Sequence, residues 1–194
     1  MFDRESSMVK SMETSSDRRW SANSPESGLT ALQTRADRGD ADAQFSLGLH
    51  FGSAPGEALD FPQAAQWYRK AADQDHALAQ YNLGVMFTRG QGVPQDDATA
   101  GVWMRKAAEG GDAGGQYSLG TRHHRASVDT LRVDATESRI EAYKWFHLAA
   151  AQGYGDSIVA CQRVTLTMTR AEVLEGNRRA AAFVAREPIN SQMP

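Results

Sequence analysis

The Leu-Gly pair recurs at Leu47-Gly48, Leu83-Gly84 and Leu119-Gly120, each 36 residues after the last. Trp67 followed by Lys70-Ala71-Ala72 returns 36 residues later as Trp103 followed by Lys106-Ala107-Ala108. It returns again, 42 residues on, as Trp145 with Ala149-Ala150, so the third copy carries six extra residues. A period of this length is the mark of a solenoid, in which one unit cannot bury its own apolar face and needs neighbours stacked on it. Residues 40–75, 76–111 and 112–153 are read as three repeats, and 154–187 as a partial fourth with a C-terminal capping helix.

Apolar spacing and punctuation resolve each repeat into two antiparallel helices. Repeat one gives Ala41 to Gly52 and Phe61 to Gln74, with Pro62 in the first turn, where its missing N–H costs little. Repeat two gives Ala77 to Arg89 and Asp96 to Glu109, with Asp96 as a cap. Repeat three gives Ala113 to Arg125 and Glu137 to Gln152, joined by a long connection from Ala126 to Thr136. Gly48, Gly84 and Gly120 fall inside helices, where glycine costs about 1 kcal/mol relative to alanine. Its recurrence predicts close helix contact, with the tryptophans and the Lys-Ala-Ala alanines packed on the notch.

The unit AQxxLGxxF, the GxGVxxD turn at Gly90 to Asp96 and the following AxxWxxKAA together resemble the Sel-one-like repeat, a relative of the tetratricopeptide repeat. The likeness covers roughly residues 40 to 160; repeat one has GSAPGEALD in place of the turn, and repeat three has His123 where Phe51 and Phe87 stand. The resemblance implies an all-α, right-handed superhelical solenoid of antiparallel helix pairs. It also implies a non-catalytic scaffold for a partner protein, in bacterial signalling or regulation. Some secreted, cysteine-rich members are associated with β-lactam binding or hydrolysis through a cysteine pair in each repeat. The single Cys161 provides no such pair, so a weak hydrolase is the disfavoured alternative.

Residues 1–26, rich in Ser, Asp, Glu and Arg, are read as a disordered tail, with Arg18-Arg19-Trp20 as a docking peptide or plain solvated chain. Met8 and Met12 are alternative starts. A capping helix from Gly28 to Arg38, over residues 27–39 with Ser24 or Ser27 as its cap, then covers repeat one through Leu29, Leu32 and Ala36. At the other end Asp156 to Val164 aligns on a first helix, placing Cys161 in the core at the motif leucine's position. Thr169 to Glu172 forms a capping box opening a helix to about Arg186. Its apolar stripe is Val173, Leu174, Ala180, Ala181 and Val184; its polar stripe is Glu172, Arg178, Arg179 and Arg186. Pro188 ends it, and 188–194 is a tail.

A formal charge of −3 gives no bias toward nucleic acid, and no apolar run reaches the roughly 20 residues of a membrane span. With no secretory segment and one cysteine, the expected location is cytoplasmic. The five histidines lack a metal-ligand pattern, the adjacent His123 and His124 pointing about 100° apart on a helix. His123 is read as structural. Asp96-Asp97 sits at a helix start, where the dipole favours negative charge. No nucleophile elbow, phosphate loop or dinucleotide fingerprint occurs, so no catalytic residue, cofactor or metal is assigned.

The remaining candidate is a wall. With Leu47 at zero and 100° per residue, Ala43, Gln44, Phe45, Leu47, Gly48 and Phe51 form the buried arc of the first helix. Ser46, Leu49, His50 and Ser53 lie opposite, facing the concave side. Their equivalents are Asn82, Val85, Met86 and Arg89, then Ser118, Thr121, Arg122 and Arg125. Partner contact is expected through Ser46, His50, Asn82, Met86, Arg89, Ser118, Arg122 and Arg125; the same positions also fit an ordinary solvated helix face.

Overall fold

The computed structural model describes residues 25–53, 59–128 and 135–184. The tail readings, including Arg18-Arg19-Trp20 and Pro188, lie outside them. The described residues form α-helices and no strand: α1 (Pro25–Asp37), α2 (Ala41–Ser53), α3 (Phe61–Ala72), α4 (Ala77–Arg89), α5 (Asp97–Glu109), α6 (Ala113–Val128), α7 (Ala135–Ala151), α8 (Ser157–Thr165) and α9 (Arg170–Val184). Pairs α2/α3, α4/α5 and α6/α7 pack closely, successive pairs stack through α3/α4 and α5/α6, and α1 covers α2. The chain is thus an all-α repeat solenoid.

Each repeat opens in the same way. Asp40 Oδ1 accepts from the Ala43 amide, His76 Nδ1 from Ala79 and Asp112 Oδ1 from Gly115, at 3.0, 3.2 and 2.6 Å, capping α2, α4 and α6. The preceding helix closes on the same residues: the amides of Asp40, His76, Asp112 and Tyr154 donate to the carbonyls of Arg35, Ala71, Ala107 and Ala149. Such closure needs a left-handed residue just before. Gly39, Gly111 and Gly153 supply it, while repeat one ends on Asp75 at φ 61°.

The hairpins also agree despite different loops. Asp60 and Asp96 donate their amides to Phe51 and Phe87 O at 2.9 and 3.0 Å, and each caps the next helix. In repeat two, Gly92 turns at φ 70° against the Phe61 carbonyl, and Val93 drops onto the core.

The glycine notches are close contacts, but the tryptophans do not fill them. An added Cβ at Gly48 would lie 2.5 Å from Tyr68, at Gly84 2.9 Å from Met104 Cγ, and at Gly120 2.7 Å from Phe146. Each neighbour is the residue after the tryptophan. The step of about 100° per residue turns Trp67, Trp103 and Trp145 into the seams with adjacent helices: Trp67 joins Ala36 and Leu47, and Trp145 joins Ala108 and Ala180. Lys70, Lys106 and Lys144 cover the three indoles at 3.6, 4.6 and 4.0 Å, an attraction between a cation and the ring's negative face.

Gln44, Gln80 and Gln116, also 36 apart, are buried. Gln44 and Gln80 donate to the carbonyls of Ala36 and Ala72 at 3.0 and 3.1 Å, and Gln116 accepts from Gln152 at 3.0 Å. Gln44 and Gln80 pin their repeats to the helix before, while Gln116 ties the two ends of its own repeat.

The ends depart from the sequence reading. α1 begins at Pro25, so Ser27 is inside it and not its cap; Leu29 is exposed. α6 runs on past Arg125 to Val128 and α7 starts at Ala135, before Glu137, leaving 129–134 between them. Cys161 is half-buried, with its thiol pushed up by burial, and Val164 takes the fully buried place. The capping box is formed, Thr169 N to Glu172 Oε2 at 2.6 Å and Glu172 N to Thr169 Oγ1 at 3.3 Å. The stripes of α9 hold only in part: Val173 and Ala180 pack on the core and Arg178 is exposed, as expected, but Leu174, Ala181 and Val184 are exposed and Glu172 is buried. Glu172 pairs with Arg139 at 2.6 Å, and Gly176 lets Tyr143 approach to 2.5 Å of where a Cβ would stand. Arg179 binds Glu137, Glu141 and Glu175. Ion pairs and a glycine contact, invisible to an apolar count, join Val173, Ala180 and Phe183 on the side that faces α7. Among the described residues no helix is long and apolar enough to cross a membrane.

Candidate functional site

The first helices α2, α4 and α6 place the eight wall residues unequally. Ser46 and Asn82 are half-buried and donate to their own helix carbonyls at Asp42 and Leu78, both at 2.8 Å. His50 sets its ring edge-on to Phe51, with 5.1 Å between centroids. Met86 is corrected: it is only 5% exposed and belongs to the core cluster with Ala65, Phe87 and Trp103, so it cannot meet a partner. Angle within α4 alone placed it outward, but the neighbouring helices bury it. Arg89, Arg122 and Arg125 are exposed, Ser118 is half-buried, and none of the three arginines makes an ion pair or hydrogen bond among the described residues.

Two clefts open beside this wall. The larger, about 810 Å³, lies between α5 and α6 and gathers Ser118, Arg122 and Arg125 opposite Asp97, Gly101 and Met104. The smaller, about 570 Å³, lies between the starts of α4 and α6 and contains Leu78, Asn82 and the Tyr81–Tyr154 pair, whose hydroxyls are 3.3 Å apart. Gly114 makes room for it, since a Cβ there would stand 2.8 Å from the Tyr81 ring. Burial, then the Tyr154 hydrogen bond, push the Tyr81 phenol up, and burial pushes the Asp112 carboxyl up despite its bonds to the Gly115 and Gly114 amides. Ser46, His50 and Arg89 line neither cleft. The structure therefore brings together Ser118, Arg122 and Arg125, sets Asn82 in a separate cleft, and removes Met86.

The α5 side was missed by sequence reasoning, which assigned the concave surface to first helices alone. Its signal lies in the departures of repeat two from its neighbours, where Gly101 and Met104 replace Ala65 and Tyr68.

Among the described residues no group of three or more His, Cys, Asp or Glu side chains converges as a metal site. His123 is half-buried and held below the ordinary histidine range by burial. His76 is a helix cap facing Asp42 at 3.2 Å, and His147 stacks on Tyr143.

Comparison with known proteins agrees with this geometry. The family model of the Sel1 repeat matches residues 41–76, 77–112 and 113–154. A Sel1 repeat protein from Oxalobacter formigenes, known from a crystal structure, is 33% identical, with a TM-score of 0.56 over 70% of this chain and 98% of that one. The crystal structure of c5321, a protective antigen of uropathogenic Escherichia coli displaying an SLR fold, is 21% identical with a TM-score of 0.56. That match covers 84% of this chain and 42% of the antigen, and shows likeness of fold alone. Comparison with curated proteins gives no match. Three consecutive matched repeats, each capped and notched at the same positions, place this chain in the Sel1 repeat family.

Proposed function

We propose that this protein is a non-catalytic scaffold that binds a peptide or helix of a partner protein along the wall of α2, α4 and α6, in the cytoplasm of a bacterium and in a signalling or regulatory assembly. Sel1 repeat proteins are generally protein-interaction scaffolds, and the structural neighbours come from bacteria. The observation that carries the reading is the set of exposed cations Arg89, Arg122 and Arg125, without an anion among the described residues, beside two open clefts. Among the described residues Arg35, Arg139, Arg178 and Arg179 are paired with carboxylates, and other arginines such as Arg105 and Arg163 are not, so what sets the wall apart is the gathering of Arg122 and Arg125 at one cleft. Solvated charges left unpaired on a groove steer encounter and select partners more than they add affinity.

Affinity capture from a bacterial lysate tests the proposal, with the wild type compared against Asn82→Ala and Arg89→Glu. Specific proteins retained by the wild type and lost by the variants, at unchanged melting temperature, support it. Retention of the same proteins by all three forms contradicts it.

A further inference from the structure

The seam between α5 and α6 repeats the seam between α3 and α4 with three of its apolar residues exchanged. In the earlier seam Phe61, Ala65 and Met86 belong to one apolar cluster and close the interface. The positions 36 residues later hold Asp97, Gly101 and Arg122. Tyr68, which fills the glycine notch of repeat one, is likewise replaced by the slimmer Met104. These exchanges open the cleft of about 810 Å³. Arg122 lies across bare backbone, its Nη1 in the space a Cβ on Gly101 would occupy. Arg125 stands one turn further along the same wall. The cleft keeps apolar surface from the half-buried Met104, which lies over the buried Ala100 and Leu119.

Resting on the scaffold reading, we infer that this opened seam is a specificity pocket for an acidic side chain of the partner, an Asp or Glu carboxylate held by Arg122 and Arg125 with its stem against the half-buried Met104. Two arginines against the single Asp97 leave the lining net positive. An arginine fork matches a carboxylate in shape as well as charge, which a lysine would not. Asp97 shares the cleft without pairing with either arginine. It therefore disfavours a run of acids and selects an isolated one.

The test uses the full chain, isotope-labelled, with nuclear magnetic resonance of the arginine side chains. The probes are the acetylated, amidated pentapeptide Ala-Leu-Glu-Leu-Ala, with one acid, and its Ala-Leu-Gln-Leu-Ala counterpart. The glutamate peptide should shift the Arg122 and Arg125 resonances and bind about tenfold more tightly than the glutamine peptide at low salt, as expected for a charge-dependent contact. The double variant Gly101→Ala with Arg122→Met rebuilds the closed seam of repeat one and should lose that preference without a lower melting temperature. Arg125→Gln, which leaves the seam intact, serves should the double variant not fold, and should also reduce it. Equal binding of the two peptides, or no binding, overturns the inference. So do equal shifts with sodium phosphate, which mark an unselective anion site, and shifts that follow protein concentration, which mark a second copy. If the peptide test fails while Asn82→Ala or Arg89→Glu still releases captured partners, only the pocket is wrong. If peptide binding succeeds while capture is unaffected by any wall variant, the pocket stands and the wider wall does not.

Discussion

Gly48, Gly84 and Gly120 occupy one repeat position, yet alanine should be received differently at each. Relief of glycine's helix penalty favours alanine by about 1 kcal/mol at all three. At Gly48 the new methyl would lie 2.5 Å from the Tyr68 ring, and at Gly120 2.7 Å from Phe146. Neither ring can retreat freely: Phe45 sits 5.8 Å from Tyr68 and Tyr117 sits 5.5 Å from Phe146, centroid to centroid. Overpacking a close-packed core costs about 1–3 kcal/mol, so both substitutions should be net destabilising, by up to about 2 kcal/mol once the helix gain of about 1 is subtracted. At Gly84 the obstacle is Met104 Cγ at 2.9 Å, on an unbranched chain that can turn aside, with Ala100 O at 3.3 Å. Gly84→Ala should therefore fall within about 1 kcal/mol of wild type. The assay is urea unfolding followed by far-ultraviolet circular dichroism, reading the midpoint at constant m. Phe146→Met should partly relieve Gly120→Ala, giving a favourable coupling in the double-mutant cycle. Stabilisation of similar size at all three positions would refute the notch argument.

Other consequences can be checked in the same way. Gly84→Leu exceeds what Met104 can yield and should cost about 1–3 kcal/mol. Gln80→Ala removes the buried bond to Ala72 O and should lower stability by about 1–3 kcal/mol in the same unfolding assay. Glu175, held at about 2 by hydrogen bonds from Arg178 and Arg179, and Glu172, held below the usual range by the Thr169 amide and Arg139, are lowered in the fold. Glu141 is lowered as well: burial raises it, but Arg179 and Lys144 outweigh burial. Groups lowered in the fold contribute stability above their unfolded values near 4.5. That contribution disappears as pH falls toward 2, partly offset by Asp112, which is raised. Acid titration of the melting temperature should decline through this window, and Glu175→Gln should flatten the decline.

Much of the architecture was legible because the period itself carries it: a repeated cap, glycine and tryptophan at fixed spacing leave few choices for where helices begin and end. What escaped was orientation between helices. Trp67 looked like the filler of the notch because it is the largest side chain, yet Tyr68 fills it, since one residue turns the helix by about 100°. Met86 looked outward on α4 alone, and the neighbouring helices bury it in the cluster with Ala65 and Trp103. The α9 stripes failed in part because charge pairing of Glu172 and Arg179 joins the apolar packing of Ala180 and Phe183 in choosing the face against α7. The α5–α6 cleft was written in the exchange of Ala65 for Gly101 and Met86 for Arg122. Its meaning depends on knowing that those positions face each other across a seam.

The central claim is that the wall of first helices is where the partner binds. It is tested most directly by association kinetics of the purified partner on wild type and on the triple variant Arg89→Glu, Arg122→Glu and Arg125→Glu, at low and high ionic strength. The account predicts an unchanged melting curve and a fall in association rate of at least about tenfold at low salt, shrinking as salt screens the wall. Association at the wild-type rate at low ionic strength would contradict it and place the partner on another surface.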